Sequence, residues 1–230
     1  MAHLRSLTGS HFPSMHATTL RLLLLMTFLG AVSTAPAAAA PREEFIPVLS
    51  KVLESNTSGT VTYVRVTFDT RSDSSGLVLR FKEAPGRFSH TAKQSIETAI
   101  RRAAQSLRLS ADSWTVALSV SYGGITIYGE SLSGMVGLSV AAMATGRTIT
   151  PGLLMTGIIT PEGRIGPVGS VPLQIPAAGR ARLNRVLVAK DQTIAERDRT
   201  TLPVMQISPI GSVTQAFHEL TTAPPSSDSR

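Results

Sequence analysis

The chain contains no cysteine among its 230 residues. Disulfides, thiolate metal sites, cysteine nucleophiles and a lipoprotein anchor are therefore excluded. Aromatic residues make up only 5% and charged residues 16%. No run of Lys and Arg occurs, although the formal charge is +7. The basic residues are scattered, apart from "RRAAQSLR" and "GRARLNR". Few aromatics and scattered cations read as solvated helix faces and not as a nucleic-acid surface. No G-x-x-x-x-G-K-[ST] loop is present in this sequence, so no ATP is expected to bind by that route. No cofactor or metal set is expected either.

Long apolar runs are also scarce. The single one is "LRLLLLMTFLGAV", Leu20 to Val32, with Arg5 and Arg21 on its N-terminal side and no acid in the first forty positions. It is followed by "STAPAAAAPREEF", rich in small residues. This pattern predicts a secretory signal over residues 1–40, cleaved between Ala35 and Ala40, with Met15 as an alternative start. An uncleaved anchor is the competing reading, but the run is short for a span of about 20 residues. The expected location is periplasmic or extracellular, where ATP is scarce.

What remains is 42% hydrophobic over the whole chain and can build a core. "EEFIPVLSKVLESN" reads as a short helix or an irregular arm. "GTVTYVRVTFDT" and "GLVLRFKEA" read as two strands of one hairpin, with "RSDSSG" as its turn. Ala92, Ile96, Ala99, Ile100, Ala103, Ala104 and Leu107 share one face at helical spacing. "SWTVALSVSY" alternates as a strand, and "SGMVGLSVAAMATG" is small and apolar nearly all round, as a buried helix is. "GLLMTGIITPEGRIGPVGS" reads as two strands joined at "PEGR". "NRVLVAK" and "PVMQISPI" are short strands and "SVTQAFHEL" a last helix. Residues 221–230, "TTAPPSSDSR", are expected to be a disordered tail. Strands alternate with helices, which argues one α/β or α+β domain over residues 41–220.

The stretch "YGESLSG" offers two serines at a Gly-rich turn that runs into the buried helix. Either serine can be a nucleophile, or either can be the helix N-cap. Helix N-termini leave amides without intrahelical partners, which can hold an oxyanion.

In order along the chain, "KQSIETAIRRAAQSL", "YGESLSG", "MTGIITPEGRIGPVGS", "AAGRARLNRVLVAKD" and "MQISPIGSVTQAFHEL" resemble successive segments of the proteolytic domain of Lon-type proteases, strongest over 93–220. The resemblance implies a mixed α/β fold of serine peptidase type, acting on polypeptides, with homo-oligomeric rings. It places the nucleophile at Ser131 and makes Ser133 structural. It implies a lysine base 43 residues after Ser131, where this chain has Gln174. Thr156 keeps the position of a threonine that supports the dyad, and Ile158 replaces the usual acid. No lysine lies between Lys93 and Lys190.

A carboxamide cannot serve as a general base. Pro172 and Pro176 bracket Gln174, so the helix there is expected to begin only at Pro176, and the scaffold that aims the base to be altered. For that reason Gln174→Lys alone is expected to restore little. Lys190 and Glu130 are the candidate substitutes; His90 and His218 read as surface residues. Two functions stay open: an exported, ATP-independent serine peptidase of Lon type, or a pseudo-peptidase that binds peptides or partners without turnover.

The export expectation has a direct test. N-terminal sequencing of the protein secreted by a bacterial host should give a mature start between residues 36 and 41. A start at Met1 or Met15 would overturn it.

Overall fold

The computed structural model describes residues 41–51, 59–169, 171–194 and 205–222. They fall in one compact unit that runs from residue 39. The expected signal segment, residues 1–40, and residues 223–230 of the expected tail lie outside the described residues.

The first strand, β1 (Arg42–Lys51), is a correction to the helix or arm expected there. It pairs antiparallel with β2 (Gly59–Thr70) over its whole length, from Arg42↔Phe68 to Lys51↔Gly59. Ile46 and Val48 are fully buried on one face of it. The short apolar run is compatible with either period, and the partner strand decides. Pro47 is accommodated because β1 is the edge of its sheet.

β3 (Val78–Phe81) and β2 do not form the expected hairpin. After β4 (Arg87–Phe88) and the helix α1 (His90–Ser106), β5 (Trp114–Val120) inserts between them, giving the order β1-β2-β5-β3. β5 buries every second residue and takes the interior place, whereas β3 is half-buried and lies parallel to it at the edge. The connecting "RSDSSG" is held by Arg71, which donates to the carbonyls of Trp114 (2.7 Å), Gly76 (2.6 Å) and Asp112 (2.9 Å).

Ser89 caps α1 by accepting from the Ala92 amide at 3.2 Å. Its buried face is Ala92, Ile96, Ala99, Ile100, Ala103 and Ala104, the expected stripe without Leu107. β6 (Thr126–Ile127) leads to α2 (Ser133–Ala144), whose residues from Ser133 to Met143 are all buried. Such a helix lies between two layers. One is the four-stranded sheet with α1. The other is a parallel sheet built later in the chain.

That second sheet follows β7 (Thr148–Ile149). It consists of β8 (Leu153–Thr156), β11 (Arg185–Ala189) and β12 (Gln206–Ile210), in the order β12-β11-β8. Between β8 and β11 come the hairpin β9 (Ile158–Ile159) and β10 (Ile165–Gly166), then α3 (Val171–Arg180). Side chains alternate across this sheet. Leu153, Met155, Leu187 and Ala189 join the core around α2, whereas Leu154, Val186 and Val188 join a second core with Val171, Ile175 and Ala178 of α3. The chain closes with α4 (Val213–Leu220) and β13 (Thr221–Thr222), which pairs with β7 where the tail was expected to begin. The fold is α+β. Among the described residues no helix is long and apolar enough to cross a membrane.

α1 and α2 cross at Gly137. A Cβ placed there would stand 2.8 Å from the Ala99 carbonyl oxygen, closer than real contacts allow. Gly137→Ala should therefore cost about 1–3 kcal/mol through overpacking, read as a lower urea midpoint. Gly123→Ala, in a loop where a Cβ meets nothing within 4 Å, is the control and should leave the midpoint unchanged.

Candidate active site

Ser131 stands between Gly129, whose φ of +79° only glycine adopts without strain, and the start of α2. Neither serine caps the helix. Leu132 holds the cap position without a side-chain bond, and Ser133 is the first helical residue, 1% exposed. The capping alternative for both is thereby removed.

The turn is fixed by main-chain bonds to Gly157, the residue after Thr156. The Gly157 amide donates to the Ser131 carbonyl at 3.0 Å, and the Gly134 amide donates to the Gly157 carbonyl at 3.1 Å. The Ser133 amide donates back to Glu130 at 2.9 Å. Two amides at this helix start are thus already engaged, contrary to the expectation of unpaired donors. Those of Ser131 and Leu132 enter no hydrogen bond among the described residues.

The helix that carries Gln174 begins at Val171 and not at Pro176. Pro172 occupies its second position, where an amide has no intrahelical partner anyway. Pro176, inside the helix, removes one bond, the one its amide would have made to residue 172. Burial of Ile175, worth about 1.5–3 kcal/mol, offsets the pre-proline preference for extended backbone. Tertiary packing overrides the local rule, and position 174 is aimed at the serine.

Three buried polar side chains meet as a result. Gln174 Nε2 donates to Ser131 Oγ at 3.0 Å, and Thr156 Oγ1 donates to Gln174 Oε1 at 2.8 Å. Exposure is 8% at Ser131, 4% at Gln174 and 1% at Thr156. A longer contact of 3.5 Å joins Thr156 Oγ1 to the Ser131 carbonyl. The structure brings together the three residues singled out by the sequence.

The direction of the Gln174 bond decides what this arrangement can do. A base for Ser131 must accept the hydroxyl proton. The amide instead donates to Oγ, so the hydroxyl is the acceptor and its own proton points elsewhere. Turning the amide over would reverse the bond but not the outcome, because an amide oxygen holds no proton at neutral pH.

The other candidates stand apart from this trio. Lys190 is exposed at the end of β11, lining a cavity with Thr160, Arg164 and Gly211 whose walls do not include Ser131. His90 and His218 are exposed on α1 and α4. Glu130 is exposed and, with Ser133 and Ile159, lines a groove of about 230 Å³ against α1. Ile158 packs against the second core. Sequence reasoning passed over Gly157, although it lies in the "MTGIITPEGRIGPVGS" segment that carries the resemblance. It also passed over Arg102, which donates to the Ile159 carbonyl at 2.7 Å and carries no signal beyond a place on a polar helix face.

Residues 81–220 match a family model described as the Lon protease (S16) C-terminal proteolytic domain. The chain is similar to the Lon protease of Desulforamulus reducens, 28% identical over 125 residues, 52% of this chain and 15% of that protein. It is 37% identical over 75 residues to the Lon protease of Chloroherpeton thalassium, covering 33% and 9%. With Lon protease 2 of Desulfotalea psychrophila the figures are 30% over 112 residues, 46% and 14%. The chain thus spans 15% or less of the length of these relatives.

The buried trio contributes to stability as well as to any chemistry. Thr156→Val keeps the shape but removes the donor to Gln174 Oε1. It should lower stability by about 0.5–1.5 kcal/mol, the net worth of one hydrogen bond, read from the urea midpoint at unchanged m-value. An unchanged midpoint would show that this bond contributes nothing.

Proposed function

The chain belongs to the family of the Lon protease (S16) C-terminal proteolytic domain, and on that premise we propose that it retains the nucleophile turn as a polypeptide-binding site while turning substrate over slowly or not at all. The family is one of serine peptidases. The observation that carries the proposal is the Gln174 amide donating to Ser131 Oγ at 3.0 Å, where a base would have to accept. Loss of a general base lowers rate by about 10²–10⁴, and by more when it acts as a unit with the nucleophile.

Export and independence of ATP are part of the same proposal. They are supported by the apolar run at Leu20 to Val32 and by the lack of a phosphate-binding loop in this sequence.

The geometry changes what a single substitution should do. Position 174 lies on a helix, is 4% exposed and reaches Ser131 Oγ. A lysine there would be desolvated, which lowers its pKa toward the neutral form that can accept a proton. Gln174→Lys alone, with both prolines in place, should therefore raise cleavage of unfolded casein by on the order of 10²-fold. That gain should vanish on adding Ser131→Ala. Rapid cleavage by the unaltered protein that Ser131→Ala abolishes would overturn the proposal.

A further inference from the structure

The groove beside the nucleophile turn is lined by Gln94, Ser95 and Thr98 of α1, by Glu130 and Ser133 of the turn, and by β9. Arg102 of α1 also lines it and is half-buried. One arm of its guanidinium is spent on the Ile159 carbonyl. That bond fixes the side chain against β9, two residues after Gly157, which bonds Ser131 and Gly134. Gly157 and Ile159 are two residues apart on an extended chain, on the order of 7 Å. The guanidinium therefore lies within one or two peptide residues of the serine turn.

Among the described residues no carboxylate pairs with Arg102. Glu162, in the hairpin turn after β9, feels its charge only weakly. The Glu162 carboxyl is held below the ordinary carboxylate range first by the Thr160 hydroxyl and its own backbone amide, and Arg102 contributes least. Glu130, in the same groove, makes no ion pair with Arg102 either. A half-buried guanidinium anchored by one arm and without an ion-pair partner among the described residues, in a groove whose other polar walls are neutral except for Glu130, suits a planar carboxylate.

Resting on the reading of this turn as a polypeptide-binding site, we infer that Arg102 is a specificity-determining residue that takes an acidic side chain of the bound polypeptide, within two residues of the one at Ser131. Glu130, at the turn end of the groove, disfavours a second acid there. The preferred ligand is an extended segment with one Asp or Glu among neutral residues.

The test uses a short fluorescent, unstructured peptide with one Glu and its counterpart with Gln, titrated by anisotropy against the unaltered protein. The Glu peptide should bind about tenfold more tightly, since a charge-assisted bond is worth more than a neutral one. The margin should shrink as salt is raised. Arg102→Gln, which keeps a donor for the Ile159 carbonyl, should erase the preference by weakening the Glu peptide more than the Gln peptide, until the two bind alike. Arg102→Lys should keep part of it. Equal affinity of the two peptides for the unaltered protein would overturn the role of Arg102 and leave polypeptide binding standing. Binding of neither peptide would overturn both.

Discussion

Side chains alternate along the four residues of β8, and the site depends on that alternation. Leu153 and Met155 face the core that holds α2, whereas Leu154 faces the core that holds α3. Thr156 follows the same alternation toward α3, and the next residue, Gly157, binds the turn in front of α2 through both its main-chain groups. One short strand therefore carries the support for both halves of the site. A slip of one residue would send Thr156 into the wrong core and leave Gln174 without this donor. One parallel neighbour, β11, and two apolar cores make that slip costly. The distance between Ser131 and Gln174 is held by the Gly157 bond to the Ser131 main chain on one side and by the burial of Ile175 on the other.

The persistence of this geometry without a base has an energetic account. An amine at position 174 would be nine-tenths or more removed from water and would lose solvation whenever it is protonated. A lysine that works there is held against that penalty. Gln174 carries no charge, and its amide meets Thr156 on one side and Ser131 on the other. Its burial is thus less costly than that of the lysine it stands for. The trio is satisfied as a structural network while the proton acceptor is missing. Catalytic groups commonly cost stability, and a neutral amide at position 174 avoids that cost.

The elements legible in the sequence are those whose pattern admits one period. β2 and β5 alternate over long stretches, and α2 is apolar on every side, which only a helix between two layers requires. β1 was illegible because "FIPVLS" is a short run that its partner, from 8 to 26 residues away in sequence along the register, converts to a strand. The place of β3 was illegible for a related reason. Pairing depends on which strand buries more, and the more apolar β5 occurs later in the chain. At the site, Ser131, Thr156 and Gln174 were reached through resemblance and spacing and not from their chemistry. The aim of Gln174 was misjudged, because a local rule about prolines was weighed without the burial of Ile175 that outweighs it. Arg102 was beyond reach, since nothing on a helix face tells which strand carbonyl will lie beside it.

Binding and bond cleavage are separable in this architecture. Gln174 approaches Ser131 from α3, on the side of the second core. The groove with Arg102 and Glu130 approaches the same turn from α1. The two meet through the main chain of residues 130–134 and Gly157, which is fixed by hydrogen bonds of its own, and through Ile158, which lines the groove and packs against the second core. A change at 174 therefore acts on Oγ from the α3 side, whereas the groove is walled from α1. A change at 102 acts on the groove without touching the hydroxyl. In a peptidase both must be kept, because rate depends on holding the substrate against the nucleophile. In a domain that only holds its ligand, the α3 side is free to exchange a costly buried amine for a neutral amide, and the α1 side is not.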